Sequence, residues 1–134
     1  MRSLLNRRPS PATLTASIAL LVALGAMAIA SVVFASGSSI HVRPHRVEAG
    51  HRVHVGGVAH GCPRGDQVTL LSRAFSRRHE FAGVPAAFTH VRRGGKFGRR
   101  VRIPAHRAPG RYAVRARCGG GNLGVTAHLR VLAP

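Results

Sequence analysis

Nine residues, Gly110 to Cys118, limit what this chain can fold into more than any other stretch. Tyr112, Val114, Ala116 and Cys118 share one parity, and Arg111, Arg115 and Arg117 occupy the other. Successive side chains leave a strand on opposite faces, so this alternation predicts a half-buried β-strand. No apolar run between residues 36 and 134 repeats with a helical period. The domain is therefore expected to be all-β.

Five more runs carry the same signal, and one further strand is expected where it is missing. Ile40 and Val42 alternate with His41 and Arg43 before Pro44, which cannot donate to a ladder. Val53 and Val55 mark a second strand, and Gly56-Gly57 suggests a bulge after it. Val68 and Leu70 open a third, although Leu71 breaks the alternation. Residues 76–95 lack clear alternation, and a structureless connection of that length is uncommon in a compact fold. A short strand is expected inside it, at Ala87 to Val91. Phe97, Val101 and Ile103 form the next strand, whose regular part starts at Arg100 because Arg99 falls on the inward parity. After the central strand and the Gly119-Gly120-Gly121-Asn122 turn, Leu123, Val125, Ala127, Leu129 and Val131 line one face of the last strand. About seven strands separated by short turns predict an antiparallel sandwich.

The chain has two cysteines, Cys62 and Cys118, each at the end of a predicted strand. They are read as a disulfide staple, with two free thiols as the alternative. Closing a loop of about 57 residues stabilises by roughly 4 kcal/mol on the chain-entropy model. A core this small is marginal without help.

Residues 1–35 have a different character. Arg2, Arg7 and Arg8 precede an uncharged run from Leu14 to Phe34, with small-residue cleavage sites near Ala30 and Ala35. This predicts an apolar helix that serves as a signal peptide or, uncut, as a single membrane anchor. Either way the sandwich, residues 36–134, is expected outside the membrane, secreted or anchored.

The domain series resembles the exported immunoglobulin-like domains of actinobacteria. The likeness is carried by Gly-x-Tyr-x-Val-x-Ala-x-Cys at Gly110 to Cys118, before the last hairpin, and by the partner cysteine after the second strand. It covers roughly Ser39 to Pro134 and implies a sandwich with Cys62 and Cys118 bridging one end. The chain departs from antibody-type domains: it has no tryptophan, and Tyr112 lies six residues before the cysteine rather than two. Tyr112 is expected to be largely buried, with its hydroxyl on a backbone partner.

Catalytic signatures are missing. The acids, Glu48, Asp66 and Glu80, are far apart in sequence, and no nucleophile elbow, metalloprotease helix or phosphate-binding glycine loop occurs. The chain is read as a non-enzyme without cofactor or metal. Its nine histidines are read as solvated, and Arg64-Gly65-Asp66 as ordinary turn chemistry. These features suggest a non-catalytic exported module with an interaction or structural role.

The charge leaves a second reading open. The chain has 21 Lys and Arg against three acids, a formal net charge of +18. That balance suits an anionic cell-envelope polymer, a lipid or extracellular DNA, but the excess of arginine over lysine also fits a GC-rich coding bias. Outward arginines fall on strands of both sheets, so the charge is expected to wrap the molecule, and specific nucleic-acid recognition is not expected. A local binding site is placed in residues 76–95, with Arg77, Arg78, Arg92 and Arg93 flanking an apolar middle that includes Phe81 and Phe88.

Overall fold

A computed structural model describes residues 37–134. The expected signal peptide or anchor helix lies outside the described residues. Among these there is no helix long and apolar enough to cross a membrane.

The domain is all-β. Its strands are β1 (Ser39–Arg43), β2 (Arg46–Glu48), β3 (Arg52–Val58), β4 (Gln67–Leu71), β5 (Glu80–Phe81), β6 (Val84–His90), β7 (Lys96–Arg102), β8 (Gly110–Cys118) and β9 (Gly121–Leu132). They form a three-stranded sheet in the order β1-β3-β7 and a six-stranded sheet in the order β2-β9-β8-β4-β6-β5. The seven expected strands are present. The two additions are too short to show alternation. One of them, β2, pairs in parallel with β9 through Val47 and Val131, so the fold is not wholly antiparallel.

One core joins the two sheets. Val53 and Val55 of β3, Val68 and Leu70 of β4, Val114 and Ala116 of β8, and Leu129 and Val131 of β9 are buried together with Phe75 and Ile103. These are the parities on which the apolar residues alternate. Burying each Val, Leu or Phe contributes about 1.5–3 kcal/mol. On β9 the inward face is less uniform than its pattern suggests. Leu129 and Val131 are buried but Leu123, Val125 and Ala127 are half-buried.

Gly56 and Gly57 form no bulge. Both stay in register with β1 and β7, as Gly57↔Ile40 and Gly57↔Phe97 show. What the position requires is closeness: a Cβ on Gly57 would sit 1.9 Å from the Ser39 carbonyl oxygen. The register irregularity of this fold lies instead between Arg115 and Arg117 of β8.

Cys62 and Cys118 are disulfide-bonded, their Cα atoms 6.4 Å apart. Tyr112 is half-buried against the core rather than largely buried, and its hydroxyl donates to the Ala108 carbonyl oxygen at 2.6 Å.

Candidate functional site

β7 ends the small sheet, and β6 is next to last in the large one. Two side chains tie these strands together. Thr89 Oγ1 donates to the Gly98 carbonyl oxygen at 3.0 Å, and the Arg99 guanidinium donates to the Phe88 carbonyl oxygen. Arg99 has the inward parity of β7, yet it is exposed, because no further strand closes that side. The strand is regular through it, with Arg99↔Val55 and Gly98↔Gly56 in register, so β7 starts before Arg100.

Beside this tie lies an open groove of about 770 Å³. Its floor is apolar, with Phe75, Ala87 and Val101 among the lining residues. Its rim carries Arg52, Arg78, Arg99, Arg100 and Arg102, together with His79. Arg52 comes from β3, three arginines come from β7, and Arg78 comes from the β4–β5 connection, residues 72–79. That connection is pinned from below: Arg107 donates to the Phe75 carbonyl oxygen at 2.9 Å, and Ser72 Oγ accepts from the Ala74 amide at 3.1 Å.

No carboxylate lines this groove. The ion pair found among the described residues joins Arg77 to Glu80 at 2.7 Å, on exposed side chains, and is worth little. Arginine stays charged at any working pH and offers a planar fork of donors that matches phosphate oxygens. Five such groups beside apolar side chains offer charged donors to an anion.

The loop residues singled out from sequence do not converge. Arg78 lines the groove, but Arg77 is paired with Glu80. Phe81 is exposed on β5, with the Arg117 guanidinium 5.1 Å from its ring centre. Phe88 is half-buried and meets His79 edge-on at 5.7 Å. Arg92 reaches over Gly98 on the small sheet, and Arg93 opens the 3-10 turn Arg93–Gly95. The segment itself is mostly regular structure, β5 and β6 followed by that turn. Outward arginines do occupy both sheets, but they also gather into one concave footprint. Alternation reports which face a side chain leaves from, not that residues from three elements share an edge.

No protein-family model matches the sequence, and no curated protein matches it. Among solved structures the domain is similar to Pseudomonas fluorescens alkylpurine DNA glycosylase AlkC bound to DNA containing an abasic site analog. The identity is 20%, the TM-score is 0.43, and the match covers 70% of this chain and 30% of that one. Two expectations are corrected here. The chain was expected to be a non-catalytic interaction or structural module, and specific nucleic-acid recognition was not expected; its partner was left open, with an anionic envelope polymer, lipid or extracellular DNA as the alternative. That neighbour is an enzyme bound to DNA, so neither expectation is kept. At this TM-score the likeness supports no further statement about the present chain.

Proposed function

We propose that residues 37–134 form an immunoglobulin-like β-sandwich that binds nucleic acid in the groove between β6 and β7. One observation carries this reading: Arg52, Arg78, Arg99, Arg100 and Arg102 surround an apolar floor from which carboxylates are absent. The guanidinium rim takes backbone phosphates, and the floor takes a base or sugar face. Phosphate contacts position a strand without reading its sequence, so the expected selectivity is for polymer charge and strand form. The groove's walls carry one fully buried phenylalanine, Phe75, and no exposed phenylalanine, tyrosine or tryptophan, so base stacking adds little here.

Binding of a fluorescent single-stranded oligonucleotide to the full chain across a salt series tests this reading. Each neutralised phosphate adds about −0.7 to the slope of log K against log salt for a single strand. The variant Arg52→Gln/Arg78→Gln/Arg102→Gln is expected to flatten that slope by about 2.

We infer in addition that the segment before residue 36 carries the domain across a membrane. The Cys62–Cys118 disulfide supports this, because such bonds persist where thiols are not kept reduced. Fractionation of the native host, with the domain found only on the cytosolic side, would contradict it.

A further inference from the structure

The outer face of the small sheet carries a second cationic cluster. In register, Gly56 of β3 stands between His41 of β1 and Gly98 of β7, and His54 stands between Arg43 and Arg100. The His41 and His54 rings are 6.0 Å apart, centre to centre, and tilted by 34°. They lie over Gly56, which is buried although its parity faces outward. A Cβ on Gly56 would come 2.9 Å from His54 Cε1 and 3.2 Å from His41 Nε2. A Cβ on Gly98 would meet His54 Nε2 at 2.9 Å and the Arg92 guanidinium at 3.5 Å. None of Glu48, Asp66 and Glu80 lies on β1, β3, β7 or the 3-10 turn.

We propose that this cluster is a second oxyanion site, taking a phosphate group on the His41 and His54 imidazoles above the Gly56–Gly98 floor, with Arg43, Arg92 and Arg100 around it. A metal cation held by the two imidazoles would face three guanidiniums, so the charge selects an anion. The two glycines matter because any side chain at either position would displace a ring. The inference does not depend on the groove binding nucleic acid.

Occupancy is linked to protons. Burial first, then Arg43 and then His54 hold the His41 pKa below its ordinary value, so the empty site favours the neutral imidazole. The charges that act on it are Arg43 on its own strand and His54 on β3, and the other titratable groups on β3, β7 and the turn beside this face, Arg52, Lys96, Arg100 and Arg92, are basic as well. A bound oxyanion supplies the one opposite charge, which favours the imidazolium. Binding therefore takes up a proton and tightens as pH falls.

The test uses the full-length protein, inorganic sulfate and phosphate, and NMR of the His41 and His54 Cε1–H signals. Sulfate stays a dianion across the range, so it isolates titration of the protein. Both signals are expected to shift saturably. Sulfate affinity is expected to rise severalfold from pH 7.5 to 5.5, because the bound anion favours the imidazolium that the empty site disfavours. Gly98→Ala keeps every charge but pushes His54 off the floor, and is expected to abolish saturation. Free phosphate saturating the signals identifies a small-ion site; saturation by an oligonucleotide alone identifies a phosphate of a strand, and either supports the oxyanion assignment. Shifts that sodium chloride reproduces, or a Gly98→Ala protein that binds sulfate like the wild type, would overturn it. Failure of the groove reading is seen separately, because Arg52→Gln/Arg78→Gln/Arg102→Gln leaves His41, His54, Arg43, Arg92 and Arg100 in place.

Discussion

Arg52 and Arg102 stand directly opposite one another on neighbouring antiparallel strands, with no carboxylate beside them in the groove they share. Like charges in that position repel, and a cross-strand pair of this kind changes stability by about 0.2–1 kcal/mol. Arg52→Gln is therefore expected to leave the fold intact and to raise the melting temperature slightly at low salt. Added sulfate should raise the wild-type melting temperature more than that of the variant. A variant that melts well below the wild type would show that the arginine pair serves packing rather than binding.

Cys62 and Cys118 close a loop with a sequence separation of 56 residues around most of the domain. Replacing both by alanine is expected to cost roughly 4 kcal/mol in urea unfolding, on the chain-entropy model. An unchanged midpoint would mean that the two sheets hold the loop closed without the bond.

The Tyr112 hydroxyl spans four residues to the Ala108 carbonyl oxygen and fixes the entry to β8. Tyr112→Phe removes that bond while keeping the ring, so a loss of about 1 kcal/mol is expected. Tyr112→Ala should cost more, since the ring also packs against the core. Equal losses in the two variants would assign the whole effect to the hydroxyl.

His41 gives the fold an acid-sensitive element. Its folded pKa is depressed, so the native state resists protonation there, while the unfolded chain accepts a proton near the ordinary value of about 6.5. Its contribution to stability is present above the unfolded pKa and is lost as pH falls through the folded one. His41→Asn is expected to weaken the fall in melting temperature below about pH 6.5. Superimposable pH profiles for the two proteins would contradict this.

Much of the fold was legible because Val53/Val55, Val114/Ala116 and Leu129/Val131 alternate cleanly, and each pair turned out to face the core. Gly56-Gly57 misled, since glycine serves a bulge and a close approach equally well, and only the position of Ser39 decides between them. Arg99 misled for a related reason. An inward parity normally means burial, but on an unclosed edge strand it means a wall of a groove. The candidate site was illegible as a unit, because its arginines come from β3, β7 and the β4–β5 connection and meet only once the sheets have packed. The small-sheet cluster was hidden in the same way: His41 and His54 are far apart in sequence and were read as solvated.

The groove account is tested most directly by comparing two triple variants of equal charge in oligonucleotide binding across a salt series. Arg52→Gln/Arg78→Gln/Arg102→Gln removes arginines from the groove, and Arg111→Gln/Arg115→Gln/Arg130→Gln removes them from strands β8 and β9, away from it. If phosphates sit in the groove, the first variant flattens the slope of log K against log salt by about 2, and the second changes it far less. Equal flattening in both variants would mean that net charge alone attracts the strand and that the groove is not a site.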